Sequence, residues 1–574
     1  MLFSKLASAF EEVEKRSGRL EMTDLLAGIY RESEATEARK ITYLIQGILA
    51  PPYEGIDLGM GERFAVQAIS SAAGYAVKKV DEDYKKLGDL GLVAESLLGE
   101  KRQQSLSAQE MSASYVYDSM LRISKSAGAG SQDMKIKLLA EMLNNSTPQE
   151  GKFIVRFVTG QLRLGVGDAT ILDALSFTAA GDKSLREGLE RAYNLCSDLG
   201  HVASSFLESP ESVLEFRVEL FKPIRPALAE RLSTPEDIFE KLGKCAIENK
   251  FDGFRMQVHK KGKNVEIYSR KLEKITFMYP DVVEAARAIK AGEMIFEGEA
   301  LAFNEKKNRF YSFQETMHRR RKYGIAESAK EYPLYVYAFD ILYLNGEDYT
   351  QRSYSERRKA LEKVFPSGLF RVSEKKIAES SADIEKAFAH SLEQGLEGIM
   401  AKDLGAPYVA GARKFAWIKL KKSYGKSVDT IDVVVVGYYL GRGQRAEFEF
   451  GGLLGAVYNP ESGKLETVAK IGSGYSEEEM RNFEEMLSEI KTPEPPADLE
   501  WKIKPDFWVK PKYVVEVAFD DITLSPTHTC GMKRDKGYAL RFPRMMRMRA
   551  DKDEKESTTT QEVIEMYQLM KEKK

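Results

Sequence analysis

The sequence predicts a multidomain protein with an all-helical first part, an α+β middle part and a small β domain at the end. Three observations predict this fold class. The chain has 574 residues, which is too long for one hydrophobic core and is typical of three or four domains. Residues 1–212 carry apolar side chains at helical spacing, and alternating runs after residue 213 predict strands mixed with helices. We expect domains at 1–212, 213–424 and 425–574.

The composition is that of a folded protein without membrane spans. Hydrophobic residues make up 43% and charged residues 30% of the chain, which excludes a disordered class. The net charge of −2 gives no overall attraction to nucleic acid, so a DNA-binding surface would need basic side chains collected on one face. The three cysteines are too few and too scattered for a disulfide framework or a zinc site, which fits a reducing, cytoplasmic setting.

Helical spacing in the first part is clearest in Ile41–Leu49, Phe64–Val77 and Phe153–Leu162. By itself this pattern predicts a helical scaffold or an interaction module. Two glycine-rich turns, Gly88–Gly91 and Gly165–Gly167, could bring backbone amides close to phosphates, or could simply end helices.

A short motif, Lys250-Phe251-Asp252-Gly253-Phe254-Arg255, stands inside the alternating segment Cys245–His259. The alternation predicts two strands joined by a turn at Asp252-Gly253, with Lys250 at a strand end. A nucleophilic lysine needs cationic neighbours, a bound metal or desolvation to lose its proton, and Arg255 could supply such a charge. The alternative is an ordinary charged hairpin.

Two glutamates are predicted to lie in the same site. Met294–Phe303 is predicted as a buried strand in which Glu297 and Glu299 share one face. A carboxylate on an apolar strand is costly unless it is paired or liganded, so Glu299 is a candidate site residue. Glu397 directly precedes Gly398, where the backbone can approach a ligand closely.

Further candidate residues lie on three predicted strands. Trp417–Lys421 alternates, so Lys419 and Lys421 point the same way, either into solvent or toward a phosphate. Phe339 lies within a strand and could be a core residue or a stacking surface, and Arg270 ends a strand as a surface ion pair or a phosphate ligand.

These motifs, in this order, resemble those of the ATP-dependent DNA ligases, within the covalent nucleotidyltransferases that include RNA ligases and capping enzymes. Leu162–Gly167, Pro223–Pro226 and Arg541–Arg544 match as well, and the resemblance extends over nearly the whole chain. It is closest to the archaeal replicative ligases, which are similar to the core of eukaryotic ligase I. It implies a helical DNA-binding domain, an adenylation (nucleotidyltransferase) domain and a β-barrel OB-fold domain with a C-terminal helix.

The resemblance also implies the role of each site residue. Lys250 would form a covalent lysyl-AMP, Glu248 would accept a hydrogen bond from the adenine amino group, and Phe339 would stack on the base. Glu299 and Glu397 would hold Mg²⁺, with Mn²⁺ as an alternative. The residues implied in catalysis are Lys250, Asp252, Arg255, Lys419 and Lys421, and those implied in ATP binding are Glu248, Lys250, Arg255, Arg270, Glu299, Phe339, Arg413, Lys419 and Arg544.

The implied substrate is nicked double-stranded DNA, sealed in replication, repair and recombination by a monomeric enzyme. Gln103–Ser107 lies where some archaeal ligases carry a sliding-clamp-binding peptide. Its paired aromatics are missing here, so a solvated polar loop is the simpler interpretation. We expect a hinge at Ser423–Ser427 that lets the last domain bring Arg541, Arg544 and Lys552 over the ATP. The rivals are an RNA ligase or capping guanylyltransferase, and a non-catalytic DNA clamp or scaffold.

The charged C-terminal tail, 558–574, carries Val563, Met566 and Met570 at helical spacing. This pattern predicts a final helix that docks on the β domain.

Overall fold

The computed structural model describes residues 1–16, 18–87, 89–100, 110–232, 234–304, 309–311, 313–321, 323–365, 368–421, 429–440 and 450–572. Gln103–Ser107 and Ser423–Ser427 lie outside these residues, so the predictions of a clamp-binding peptide and of a hinge stay predictions. Within the described residues, no helix is both long enough and apolar enough to cross a membrane. Cys196, Cys245 and Cys530 are buried and free.

The first part of the chain is helical, as predicted, and its helices pack around a shared apolar core. Its described helices are α1 (Phe3–Glu14), α2 (Arg19–Arg31), α3 (Ala35–Gln46), α4 (Glu62–Ala73), α5 (Val77–Leu87), α6 (Leu90–Gly99), α7 (Ala113–Lys125), α8 (Ser131–Asn144), α9 (Pro148–Val158), α10 (Asp168–Ala180), α11 (Arg186–Cys196) and α12 (Leu199–Glu208).

One buried carboxylate shows how capping and packing work together here. The side chain of Asp89 caps α6 by accepting hydrogen bonds from the amides of Gly91 and Leu92, at 2.7 and 3.3 Å. It also pairs with Arg156 of α9 at 2.7 Å, so α6 and α9 are tied together. A Cβ on Gly91 would lie 2.7 Å from the carbonyl oxygen of Lys152. The amide of Gly91 is therefore bonded within a helix contact, whereas Gly88 lies outside the described residues, so a phosphate contact of the turn Gly88–Gly91 stays a prediction.

The middle part is α+β and contains two sheets. Its strands are β1 (Leu228–Arg231), β2 (Cys245–Lys250), β3 (Phe254–Lys261), β4 (Asn264–Ser269), β5 (Glu293–Asn304), β6 (Arg309–Phe310), β7 (Leu334–Leu344), β8 (Glu347–Asp348), β9 (Phe370–Val372), β10 (Lys375–Ala378), β11 (Gly398–Asp403) and β12 (Arg413–Lys421). Its helices are α13 (Pro235–Leu242), α14 (Pro280–Ala288), α15 (Phe313–Met317), α16 (Ile325–Glu331), α17 (Tyr354–Val364) and α18 (Ser381–Glu393).

The two sheets diverge at Lys250. The first sheet has the strand order β1-β12-β11-β2-β10, and the second has β4-β3-β5-β7-β8 with β6 and β9 at its sides. The two strands predicted around Asp252-Gly253 are confirmed as β2 and β3. The hairpin alternative is wrong, because β2 and β3 belong to different sheets and do not pair with each other. Lys250 is thus the last residue of β2 in the first sheet, and four residues later the chain begins β3 of the second sheet.

The last part is β-rich, with curled sheets typical of an OB fold. Its elements are β13 (Asp429–Tyr439), β14 (Gly452–Asn459), β15 (Lys464–Ile471), α19 (Glu477–Ser488), β16 (Lys491–Thr492), β17 (Leu499–Glu500), β18 (Phe507–Val509), β19 (Val514–Phe519), β20 (Asp521–Ser525), β21 (Cys530–Lys533), β22 (Lys536–Arg541), β23 (Arg544–Met548) and α20 (Thr560–Glu572). β13 lies at the centre, since it pairs with β14, β18 and β19. Helix α20 confirms the predicted tail helix, and Val563 and Met566 are buried in the β-domain core.

Ion pairs hold the last part against both other parts. Arg547 reaches Asp252 of the middle part at 2.6 Å, and Glu556 reaches Arg270 at 2.7 Å. Glu494 pairs with Arg163 of the helical part at 2.8 Å. The chain is therefore folded in a closed arrangement, with the β domain covering the edge where the two middle sheets diverge. The predicted fold class is confirmed in all three parts.

Candidate active site

The floor of the site is one face of the first sheet. Strand β11 runs between β2 and β12, so residues of the three strands form rows across the sheet. In one row, Gly398 lies opposite both Lys250 and Lys421. In the next, Met400 lies opposite Glu248 and Lys419. Because side chains alternate along a strand, both rows face the same side of the sheet.

A glycine in the middle of the first row is required by the backbone. Gly398 has a φ of 152°, and a Cβ there would lie only 2.1 Å from the carbonyl oxygen of Leu420. No side chain therefore separates Lys250 from Lys421 in this row. The two ammonium groups both reach the carboxylate of Glu397, the residue just before this glycine.

Glu397 is the charge centre of this end of the pocket. Its carboxylate contacts the Nζ of Lys250 and lies 2.5 Å from the Nζ of Lys421. Burial raises the pKa of Glu397, but the charges of Lys250 and Lys421 outweigh burial and hold the pKa well below its ordinary value. Glu397 is therefore ionised at neutral pH and keeps two cations within reach of a phosphate.

The second sheet supplies the opposite wall. Arg255 and Gln257 of β3 lie opposite Glu299 and Glu297 of β5, which confirms that these two glutamates share one face. Arg255 binds Glu297 through two hydrogen bonds, at 3.1 and 2.6 Å, and its guanidinium lies 5.2 Å from the centroid of the Phe339 ring. The charge of Arg255 is thus already matched by Glu297.

The charge of Glu299 is matched less closely by its neighbours than the charge of Arg255 is. Burial raises the pKa of Glu299 to about 7, against the opposing charges of Lys250 and Arg255. Glu299 is well placed to be a ligand of a bound cation, because such a cation would keep its carboxylate ionised. No group of three or more histidine, cysteine, aspartate or glutamate side chains that could hold a metal occurs in the described ranges. A metal on Glu299 and Glu397 would complete its coordination with water and phosphate oxygens, as Mg²⁺ commonly does.

Phe339 projects from an irregular position in the second sheet. Glu297 pairs with Asp340 and Gly298 pairs with Ala338, so Phe339 is an extra residue on β7, a β-bulge. Its ring meets the Trp417 ring edge-on, with centroids 5.9 Å apart. Phe339 and Trp417 therefore form an aromatic boundary at the end of the pocket away from Lys421.

Glu248 lies at that same end and is only 2% exposed. Its carboxylate is bonded by the hydroxyl of Tyr354, the guanidinium of Arg358 and the ammonium of Lys402. The pocket is thus polarised, with lysines at one end and a held carboxylate beside aromatic rings at the other.

The β domain closes the top of this pocket. Arg549, Asp551, Lys552 and Glu556 line it together with residues of both sheets. Arg549 and Lys552 also bind Asp432 of β13, so they are held on their own domain while they face the pocket.

The structure brings most of the predicted site residues into this one pocket: Glu248, Lys250, Asp252, Arg255, Arg270, Glu299, Phe339, Glu397, Lys419 and Lys421. Arg413 begins β12, and its side chain is outside the described part of the structure. Arg544 pairs with Asp520 of its own domain at 2.7 Å and is not among the lining residues of the described pocket. Of the three basic residues predicted to cover ATP, Lys552 lines the pocket.

Four residues that contribute to this site were not predicted from the sequence: Arg547, Lys402, Tyr354 and Arg358. Arg547 follows the matched phrase Arg541–Arg544 closely, which was a usable signal. Lys402, Tyr354 and Arg358 gave no such signal, because they act through Glu248 from β11 and α17.

A pocket that collects lysines at one end and places aromatic rings and a carboxylate at the other can bind a nucleoside triphosphate by its phosphates and its base. These features define a nucleotidyltransferase class of enzyme.

Comparisons with known proteins specify the family. The family models that match are "DNA ligase N terminus" over residues 2–176, "ATP dependent DNA ligase domain" over 226–421 and "ATP dependent DNA ligase C terminal region" over 446–552. The "Probable DNA ligase" of Dictyoglomus turgidum is 46% identical over 581 residues, covering 100% of this chain and 99% of that protein. The "DNA ligase" of Saccharolobus solfataricus is 41% identical over 592 residues, covering 100% and 98%.

The chain belongs to the ATP-dependent DNA ligase family. The predicted function, sealing of nicks in DNA through adenylation with ATP, is confirmed at this level. Among solved structures, a mycobacterial DNA ligase D complexed with ATP and MES matches with 27% identity and a TM-score of 0.35, over 58% of this chain and 98% of that one.

Proposed function

We propose that Lys250 is the residue that accepts AMP, and that its pocket carries out the first step of nick sealing. The observation that supports this proposal is the convergence of Lys250, Glu397 and Lys421 around Gly398. In the first step, the Nζ of Lys250 attacks the α-phosphorus of ATP, the bond to pyrophosphate breaks, and a lysyl-AMP forms. AMP then passes to the DNA 5′-phosphate, and the 3′-hydroxyl displaces AMP to seal the strand.

Lys421 allows the nucleophile to leave its ion pair. Lys250 must break its contact with Glu397 before its amine can attack. When it does so, Lys421 still pairs with Glu397, so a buried carboxylate is not left without a cation. Lys419 and Lys421, on the same face of β12, would neutralise charge that develops on the α-phosphate.

Each of the other pocket residues has a proposed part in holding ATP. Arg255 fixes the pocket wall beside Phe339, whose ring would stack on the adenine. Glu248 would accept a hydrogen bond from the adenine amino group. Arg270 would hold the ribose or a DNA phosphate. Glu299 and Glu397 fit Mg²⁺ or Mn²⁺, since both are carboxylates and a bound cation would offset the burial that raises the pKa of Glu299. Such an ion would supply charge neutralisation for the phosphates.

The three parts of the chain would act in turn. The β domain (425–574) covers ATP during the first step and then swings away on a hinge near Ser423–Ser427 to admit DNA. The helical domain (1–212) binds the DNA backbone on both sides of the nick, while the middle domain (213–424) carries the chemistry. Arg544 keeps its proposed role toward pyrophosphate only if it moves from Asp520. We further propose that the enzyme is a cytoplasmic monomer and that Gln103–Ser107 is the segment that would contact a sliding clamp.

Labelled ATP tests the proposal directly. The wild-type protein with Mg²⁺ should form an acid-stable, amine-linked AMP adduct at Lys250, and nicked duplex should discharge it into sealed DNA. Lys250→Ala should form no adduct and keep nearly normal folding, because a lysine at a pocket edge adds little to the core. Lys244→Ala, which removes an exposed lysine paired with Glu379, is the matched control and should form adduct normally.

Three outcomes would contradict the proposal. An adduct on another lysine in Lys250→Ala would show that a different residue is the nucleophile. Labelling by GTP without labelling by ATP would favour a capping guanylyltransferase. A wild-type protein that binds nicked DNA without forming any adduct would favour the scaffold alternative.

A further inference from the structure

The carboxylate of Glu248 is held by three donors that come from outside its own strand. The hydroxyl of Tyr354 donates to Oε1 at 2.5 Å, and Nη1 of Arg358 donates to the same oxygen at 3.1 Å. The ammonium of Lys402 donates to Oε2, also at 3.1 Å. Oε1 therefore has both of its lone pairs occupied, whereas Oε2 has one named donor and can accept another.

Lys402 is itself an unusual residue for this position. It is 1% exposed, and its ammonium lies 4.4 Å from the ring centroid of Trp417 and 5.1 Å from that of Tyr354. Its other hydrogen bond goes to the carbonyl oxygen of Phe339, at 3.1 Å. One ammonium thus links Glu248 to the backbone of the proposed stacking residue and packs against a further pocket ring.

We propose that Lys402, with Tyr354 and Arg358, positions Glu248 so that the enzyme selects the 6-amino group of adenine. This inference rests on the proposed binding of adenine at Glu248. The two cations and the hydroxyl fix the carboxylate in one orientation, which leaves Oε2 as the oxygen that can accept a hydrogen bond from the base. A purine without the amino group would leave this buried acceptor without its donor, and that loss is the source of selection. Lys402 is a positioning residue, because it acts through Glu248.

The distinguishing substrate is purine riboside 5′-triphosphate, which has the shape of ATP without the 6-amino group. For the full-length wild-type enzyme, kcat/KM for adduct formation should be about 10- to 100-fold higher with ATP, the factor expected for a hydrogen bond to a charged acceptor. The preference should appear in KM and leave kcat nearly unchanged, because the amino group is remote from the α-phosphorus.

Two variants test the positioning role and one controls for it. Lys402→Met keeps the stem length and removes the charge, so the preference for ATP should fall to about threefold or less. Tyr354→Phe removes only the hydroxyl that binds Oε1, so it should lose a smaller part of the preference, and it keeps the test informative if Lys402→Met does not fold. Glu362→Gln weakens the outer partner of Arg358, at 2.8 Å, without touching Glu248, and should keep the full preference.

The outcomes separate this inference from the proposed function. If Lys250 is adenylated and the preference for ATP is the same in wild type, Lys402→Met and Tyr354→Phe, the positioning role is overturned and the nucleophile stands. If both variants only lower thermal stability, Lys402 is a structural residue and the inference falls. If the wild-type enzyme forms no adduct at Lys250 with either triphosphate, the proposed function itself is wrong, and the inference that rests on it falls with it.

Discussion

Closure of the β domain over the pocket should depend on Arg547, and Arg547→Met should slow formation of lysyl-AMP. Arg547 is on β23, and its Nη1 reaches both oxygens of Asp252, at 2.8 and 2.6 Å. Its Nε binds Glu516 of the same domain at 2.7 Å. In the proposed open state, the contact with Asp252 would be lost and the contact with Glu516 would stay. Of these two contacts of Arg547, the one with Asp252 therefore favours the closed state over the open one.

The size of the effect follows from exposure at the interface. The Asp252 side chain is 38% exposed and that of Arg547 is 16% exposed, so solvent screens the pair in part. A fully exposed pair contributes about 0.2–1 kcal/mol and a hydrogen bond to a charged group about 1.5–3 kcal/mol. For this partly exposed pair we take about 1–1.4 kcal/mol, which is a fivefold to tenfold loss of closed enzyme.

A single-turnover comparison measures this loss. Arg547→Met should form adduct about fivefold to tenfold more slowly, while it seals a nick that already carries AMP at a nearly normal rate. A double-mutant cycle with Asp252→Asn isolates the contribution of the pair from the loss of the Glu516 contact. Arg544→Met tests the residue predicted from sequence. If Arg544→Met slows adduct formation more than Arg547→Met does, the ion pair does not control closure.

Two further predictions concern the metal and the DNA. Because burial raises the pKa of Glu299 to about 7, a proton competes with Mg²⁺ below that pH. The apparent Mg²⁺ affinity, measured by titration of adduct formation, should rise by up to about tenfold per pH unit until pH reaches about 7 and then level off. Glu299→Gln should abolish this slope, and an unchanged slope would exclude Glu299 as a ligand. A truncated chain that starts at Glu211 should still form adduct but bind nicked duplex poorly, and full-length binding should weaken steeply with salt. Equal sealing by both chains at limiting DNA would contradict the assignment of DNA binding to the helical part.

The sequence allowed most residues of the candidate pocket to be predicted, because they lie at fixed positions in regular strands. Alternation placed Lys419 and Lys421 on one face of β12, and Glu297 and Glu299 on one face of β5. The cost of burying a carboxylate indicated Glu299 before any fold was known. Local spacing is sufficient for such residues.

Contacts between distant segments could not be predicted in the same way. Alternation around Lys250 predicted two strands but could not show that β2 and β3 pair in different sheets. Two residues of β23, Met546 and Arg547, stand where one would be expected opposite β19, and this bulge breaks the alternation. The partner of Arg547 therefore depends on how the domains meet. Arg544, which was predicted instead, is matched by Asp520 nearby.

The position of Lys250 between two sheets has a thermodynamic consequence. AMP attached to Lys250 would touch Glu248 and Lys419 on the first sheet and Phe339 on the second, so it would tie the two sheets together. A ligand that binds only the folded state stabilises that state in proportion to the logarithm of its free concentration, and this stabilisation is lost on dilution. A covalently bound nucleotide has no such dependence. The adenylated enzyme would therefore keep the added stability of the folded state after free ATP has gone, until a nick removes the nucleotide.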